Sequence, residues 1–109
     1  MEIRAYRHAN KEDVLALLRL DTPQYFAPAE ETDFTQYLAN YGATHYVLLM
    51  SGTIVGCGGI GITADKTTGK LCWGMIHPKW QGQGLGKHLL LFRLKELQAQ
   101  GVTRVVVNT

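Results

Sequence analysis

The sequence of 109 residues is poor in several features that would assign it to a specialised class. It has 2 Cys, at positions 57 and 72, with no CxxC and no Cys/His cluster. That excludes a disulfide scaffold and a zinc site, and makes both thiols small hydrophobes of a reducing compartment, with the cytoplasm as the expected address. No apolar run approaches the roughly 18 residues of a membrane span, and the opening MEIRAYRHANKED is charged rather than signal-like. Neither sign of charge dominates: 11 basic and 9 acidic side chains leave a net charge of +2, with no basic stripe or tail to neutralise phosphates, so nucleic acid is not the expected partner. With 3 Pro and no repeat, low-complexity tract or linker, the chain reads as one domain over 1–109. What it has in quantity is apolar residues, 46%, enough for a chain of this size to bury about two thirds of its unfolded surface without staples.

The period of those apolar residues changes along the chain. Residues 2–7, EIRAYR, alternate as a short strand. Asn10 offers an N-cap to KEDVLALLRLD, whose Val14, Leu17 and Leu18 share one face and whose Glu12 and Asp13 suit a first turn; Pro23 stops this helix after Asp21. Pro28 to Tyr41 forms a second helix, with Phe34, Tyr37, Leu38 and Tyr41 at helical spacing, Glu30, Glu31 and Asp33 near its positive end and Gly42 as its C′ residue. Three strands follow in antiparallel succession: from His45 through Met50, Thr53 to Thr63, and Lys70 to Ile76, with turns at Ser51-Gly52 and in ADKTTG. A leucine-striped helix (Leu85, Leu89, Leu90, Leu94, Leu97) ends at Gly101, and residues 102–107 make a last apolar strand. The order β-α-α-β-β-β-α-β defines an α/β (α+β) fold, a mixed and mostly antiparallel sheet with helices on both faces.

The segment from Ile76 to Lys87, IHPKWQGQGLGK, joins an apolar strand to an amphipathic helix. Glycines at 82, 84 and 86 permit a tight turn whose N–H groups converge at the positive end of a helix dipole, a nest for phosphate oxygens. The spacing is not that of a Walker A loop, since Gln81 and His88 stand where glycine and Ser/Thr are needed. Nor is it the dinucleotide fingerprint: the third glycine comes one residue early, and the helix leads into an antiparallel run rather than closing a βαβ unit.

With Ile76-x-Pro78 before it and Leu89-Leu90 after it, Gln81-x-x-Gly84-x-Gly86 resembles the acetyl-CoA signature of the GNAT superfamily of acyl-CoA N-acyltransferases, and the element order is similar to that fold from its first strand to its fifth. The resemblance implies an acetyl-CoA-dependent N-acetyltransferase (EC 2.3.1 type) that transfers the acetyl group directly to a primary amine of a small molecule, amino acid or peptide, without a metal. It implies that Gln81, Gly82, Gln83, Gly84, Leu85, Gly86 and Lys87 hold the CoA pyrophosphate. Met75 and Ile76 then run beside the pantetheine, where the fourth strand splays from the fifth at a bulge near Gly74. The Ile76 backbone N–H faces the thioester oxygen.

The chemistry also needs a base for the amine and a proton for the leaving thiolate. KLCWGMI carries none of the acids that the family often places there, so the catalytic residues are unassigned, with His77 a weak candidate beside His45, Tyr46, Glu30, Glu31 and Asp33. Cys72, on a strand with no evident His partner, reads as packing rather than nucleophile. Trp73 reads as packing on the sheet and Trp80 as a lid over the loop's base, while Tyr25 and Phe26 either line the acceptor pocket or anchor a turn. The family commonly supplies the acid as a Tyr on a helix after the fifth strand. Here the sequence ends at Asn108-Thr109, so the expectation is a domain lacking that helix and the last strands. Two consequences are expected: a homodimer that covers the exposed fifth strand, and, as the alternative function, a CoA-binding module or fragment without turnover.

Overall fold

In the computed structural model, which describes residues 1–21 and 28–108, the elements run β1 (Glu2–Ala5), α1 (Lys11–Asp21), α2 (Pro28–Tyr41), β2 (His45–Met50), β3 (Thr53–Ile62), β4 (Thr68–Ile76), α3 (Leu85–Ala99) and β5 (Arg104–Asn108), with short 3-10 turns at His8–Asn10, Gly42–Thr44 and Pro78–Trp80. Pro23, Tyr25 and Phe26 lie outside the described residues. The strands form one sheet in the order β1-β2-β3-β4-β5, antiparallel up to β4.

β5 pairs parallel to β4. α3 is therefore a crossover between parallel neighbours, and β4-α3-β5 is the βαβ unit that the sequence reading denied. The apolar Val-rich run of β5 is what misled: it carries no mark of strand direction, and direction follows from the helix returning the chain to the same end of the sheet. The spacing argument against the dinucleotide fingerprint stands without it.

Each face of the sheet has its own core. Val14, Leu17, Phe34 and Leu38 of α1 and α2 pack with Val47, Cys57 and Met75. On the opposite face Leu85 and Leu89 of α3 meet Leu48 and Val55, and Leu97 meets Ile60 and Leu71. The β2–β3 hairpin turns on Ser51 and Gly52, both at positive φ (51° and 80°), the twist that a two-residue connection requires. At the β3–β4 turn the Asp65 carboxylate accepts bonds from the Thr63 hydroxyl (2.6 Å), the Thr67 hydroxyl (2.8 Å) and the Thr67 N–H (3.1 Å), which hold its pKa below the usual carboxylate value.

Two expected caps take other roles. The Asn10 side chain accepts the Arg7 N–H at 3.0 Å and an Arg4 guanidinium bond at 3.2 Å, bracing the turn before α1 instead of capping that helix. Gly42 opens a 3-10 turn and lacks a left-handed φ, so it is no C′ residue; a Cβ there would stand 3.1 Å from the Tyr6 ring, and that close approach is its physical reason. Gly101 does adopt the left-handed C′ conformation, at φ 84°.

Candidate functional site

The glycine segment runs from the 3-10 turn Pro78–Trp80 into α3, with Gly84 as the N-cap. Gly82 and Gly84 have φ of 79° and 80°, which side chains rarely adopt. Gly86 has no such φ, and a Cβ on it would make only ordinary contact, 3.8 Å from Ile76 Cγ1. The protein's own packing does not call for glycine at 86. His88 makes the helix's first N–H bond, to Gly84 at 3.1 Å, so the N–H groups of Leu85, Gly86 and Lys87 point out of the helix end without helical partners, at its positive pole. The left-handed glycines and the helix start thus stand where the spacing placed them.

Beside the nest, β4 loses its outer neighbour. β5 accompanies it only from Thr68 to Cys72. Beyond that point lies a cleft of about 790 Å³ between the strands, floored by Leu89, Leu90 and Arg93 of α3, with Gln81 and Gly86 at its outer end and Leu18 and Glu30 on the α1/α2 side. The stretch from Trp73 to Ile76, which has no partner among the described residues of β5, is about 10 Å long at strand rise. Its hydrogen-bonding sense follows from register. The His77 N–H bonds Val55 at 2.7 Å, so the Gly56–Ile76 pair next to it is a non-bonded pair, and the Ile76 N–H and C=O face away from β3 toward the cleft. Met75 pairs with Cys57 and offers the cleft its side chain, and Gly74 lines the cleft two residues further in, beside the bulge. Gln81 takes the Ile76 carbonyl with its side-chain amide, at 3.1 Å.

The inner end of the cleft is a bulge. The β3–β4 register slips between Cys57 and Gly59, and Trp73 sits at φ 53°, a strained conformation for a bulky residue. Trp73 stacks on Phe34 at 4.7 Å between centroids, which is the packing role expected of it. The Cys72 thiol bonds the Tyr37 phenol oxygen (3.7 Å), which lies 3.1 Å from His45 Nδ1. A phenol that accepts from the thiol and donates to Nδ1 leaves the imidazole proton on Nε2, which is buried without a partner among the described residues. Burial, and then the Arg93 charge, lower the His45 pKa to about 3; burial and then Cys72 push Tyr37 above the ordinary phenol value.

From the opposite face Arg93 reaches the same bulge. It stands with Leu85, Leu89 and Leu97 in the buried stripe of α3 at four-residue spacing and is only 7% exposed. Nη1 donates to the Gly59 carbonyl at 3.3 Å, while Nε has no partner among the described residues. A Cβ on Gly58 would lie 2.8 Å from the guanidinium carbon, and one on Gly74 3.2 Å from Nη2, so the two glycines make the room. Burial lowers the Arg93 pKa.

Of the residues expected to act, the structure gathers Met75, Ile76, Gln81 and Gly86 around the cleft and brings Glu30 to its rim. His77 caps the turn after β4, its Nδ1 accepting the Lys79 N–H at 3.1 Å, and it lies outside the cleft lining. His45 is fully buried, Tyr46 packs edge-on against Phe92, Glu31 pairs with Arg19, and Asp33 is exposed away from the cleft. Trp80 packs against the α3 core rather than lying over the loop as a lid. Sequence reasoning missed Arg93 altogether. Its one signal was a cation at a four-residue step from Leu89 and Leu97. No spacing announces the Tyr37–His45 contact, which tertiary packing makes.

Fold and site together define an α/β domain in which an anion nest opens onto a half-unpaired strand. The family model for the acetyltransferase (GNAT) family matches residues 11–109, and the chain belongs to that family. No curated protein sequence matches the chain. Solved structures share its fold. An acetyltransferase of the GNAT family from Staphylococcus aureus Mu50 superposes with a TM-score of 0.84 at 16% identity, over 99% of this chain and 72% of that one. A GNAT family acetyltransferase from Brucella melitensis in complex with acetyl-CoA gives 0.79 at 19% identity, over 97% and 73%. N-acetylglutamate synthase from Neisseria gonorrhoeae, in complex with coenzyme A and N-acetylglutamate, gives 0.81 at 22%, over 97% of this chain but 24% of its own. This chain thus spans about a quarter of the synthase's length. Among the described residues no helix is long and apolar enough to cross a membrane, and no group of His, Cys, Asp and Glu is placed to hold a metal ion.

Proposed function

We propose that the chain binds acetyl-CoA and transfers its acetyl group directly to a primary amine of a small molecule, amino acid or peptide. The observation that carries this is the continuity between the nest at Gly82–Lys87 and the unpaired edge of β4. One end suits a pyrophosphate and the other an extended chain bearing amides, and CoA joins those two groups in that order. The pantetheine amides pair with β4 as a further strand. The N–H groups of Ile76 and, deeper, Gly74 supply donors for the thioester oxygen as charge develops there. Glu30, an exposed carboxylate on the rim, takes the proton of the attacking amine directly or through water. The amine nitrogen then forms its bond to the acetyl carbon, and the C–S bond breaks to release CoA thiolate.

A calorimetric titration with acetyl-CoA tests the binding step, and thiol release over a panel of amines tests the transfer. Saturable binding with amine-dependent thiol release supports the proposal; no heat of binding overturns it, and binding without release over the whole panel reduces it to a CoA-binding module. Two further elements belong to the proposal. The outward edge of β5, where Val105, Val106 and Val107 are 41%, 41% and 68% exposed, is covered by a second copy of the chain, and light scattering at micromolar concentration that reports a clean monomer removes that element. Cys57 and Cys72, neither of them in a disulfide, suit the reducing cytoplasm.

A further inference from the structure

Arg93 is not explained by holding the fold together. A guanidinium taken out of water needs a counter-charge or a full set of acceptors, and among the described residues this one has the Gly59 carbonyl alone. The ionisable groups that bear on it from the opposing strands and helix are Cys57, Cys72, Tyr37 and His45, none of them a carboxylate. The ion pair between Arg19 and Glu31 joins α1 to α2 on the other side of the sheet. Leucine, as at 85, 89 and 97, would fill the stripe without this cost. Gly58 and Gly74 instead leave the space that the planar group occupies, and Arg93 borders the cleft.

The depth of Arg93 says which ligand group it meets. From Gly86 to Arg93 the helix rises about 10 Å, carrying the charge from the phosphate nest toward the inner end of the cleft. That is too far to serve the pyrophosphate and beside the place where the thioester and the incoming amine meet. An acetyl group offers no anion there. With Nη1 engaged by Gly59 and Nε set against Gly58, Nη2 stands beside Gly74 on the β4 side that borders the cleft, where it can donate to a carboxylate.

We propose that Arg93 is a carboxylate-recognition site at the inner end of the cleft, so that the favoured reactants carry a free carboxylate, either on the acyl group transferred or on the amine that receives it. This rests on the cleft's being the acyl-CoA site, and it narrows the substrate class. The test has two arms. In the first, CoA, butyryl-CoA and succinyl-CoA, the last two being near-equal in size and differing in charge, are titrated calorimetrically into the wild-type chain and R93M. In the second, kcat/KM for acetyl transfer is compared between α-amino acids and their carboxamides with the same two proteins. A carboxylate on the acyl group gives a succinyl preference of at least tenfold, and one on the acceptor gives an amino-acid preference of that size through KM. In either case R93M brings the ratio near one and R93K keeps part of it.

A ratio below about threefold in both arms for the wild type overturns the proposal, as does a preference that survives in R93M. Absence of CoA binding sinks the assignment of the cleft itself, and so is told apart from a failure at Arg93. Should R93M not fold, R93Q, neutral but polar, makes the same comparison.

Discussion

The two ends of the cleft are built from different materials. The outer end, Gly82 to Lys87, is backbone: left-handed glycines and the free N–H groups of a helix start, on the surface, with no side chain needed to bind. The inner end rests on side chains: Arg93 borders it, and behind it Arg93 from one face and Tyr37 and His45 from the other meet around glycines of a bulge. A site of the first kind is cheap for the fold and can be abolished without unfolding it. One of the second kind is coupled to the core, so a change there is felt as stability.

The largest expected effect breaks the outer end alone. Gly86→Glu puts a charged side chain where an anion is to bind, and acetyl-CoA affinity falls at least ~1,000-fold, about 4 kcal/mol. Its melting temperature stays within a degree or two of wild type, since a Cβ at 86 meets only ordinary contact and a carboxylate suits a helix start. Calorimetry and a thermal melt on one sample check both halves, and a protein that still binds would remove the distinction between the ends.

Next is the inner end. A Cβ on Gly59 falls 1.9 Å from the Tyr37 phenol oxygen, so Gly59→Ala displaces α2 or the ring and costs about 3 kcal/mol in urea unfolding, as overpacking does. An unchanged urea midpoint would show that the bulge yields without cost.

The pH dependence of stability comes from His45. Its folded pKa, about 3, lies below the ordinary 6.5, so as pH falls through 6.5 the unfolded chain takes up a proton that the folded chain refuses. Stability is complete above about pH 6.5 and declines below it, toward a slope of about 1.4 kcal/mol per pH unit, until His45 titrates in the folded state. Urea midpoints from pH 7.5 to 4.5 measure this, and His45→Phe, which has nothing to protonate, should remove that part of the slope. The smallest effect is Tyr37→Phe. It takes a hydrogen bond from His45 and costs about 1 to 2 kcal/mol, with acetyl-CoA affinity unaltered; a larger loss of affinity than of stability would move Tyr37 into the binding site.

Much of this molecule was legible beforehand because its signals are local. Apolar period placed α1, α2 and α3 and the three central strands within a residue or two, and Ser51-Gly52 and Gly101 marked turns that only certain φ values allow. The nest was legible because binding by backbone leaves its trace in glycine spacing. Two readings failed for one reason: the direction of β5 and the role of Gly42 each depend on a neighbour remote in sequence or on the path of the chain between elements, whereas the cap at Asn10 was lost to near neighbours, Arg4 and Arg7. Trp73 and Cys72 were read as packing residues, and the bulge that the family resemblance led one to expect near Gly74 coincides with the shift in β3–β4 register between Met75 and Cys72.

The sequence by itself determined the elements, their order and the anion nest, because helix and strand periods, caps and left-handed turns are settled by residues within a turn or two of one another. Only the tertiary structure decided that β4 and β5 run parallel, that Ile76 turns its amide toward the cleft, and that a lone arginine and a tyrosine–histidine pair converge on the β3–β4 bulge from opposite faces. Those facts depend on which surfaces pack together, and a buried charge among leucines looks like any other helix position until the sheet is laid over it.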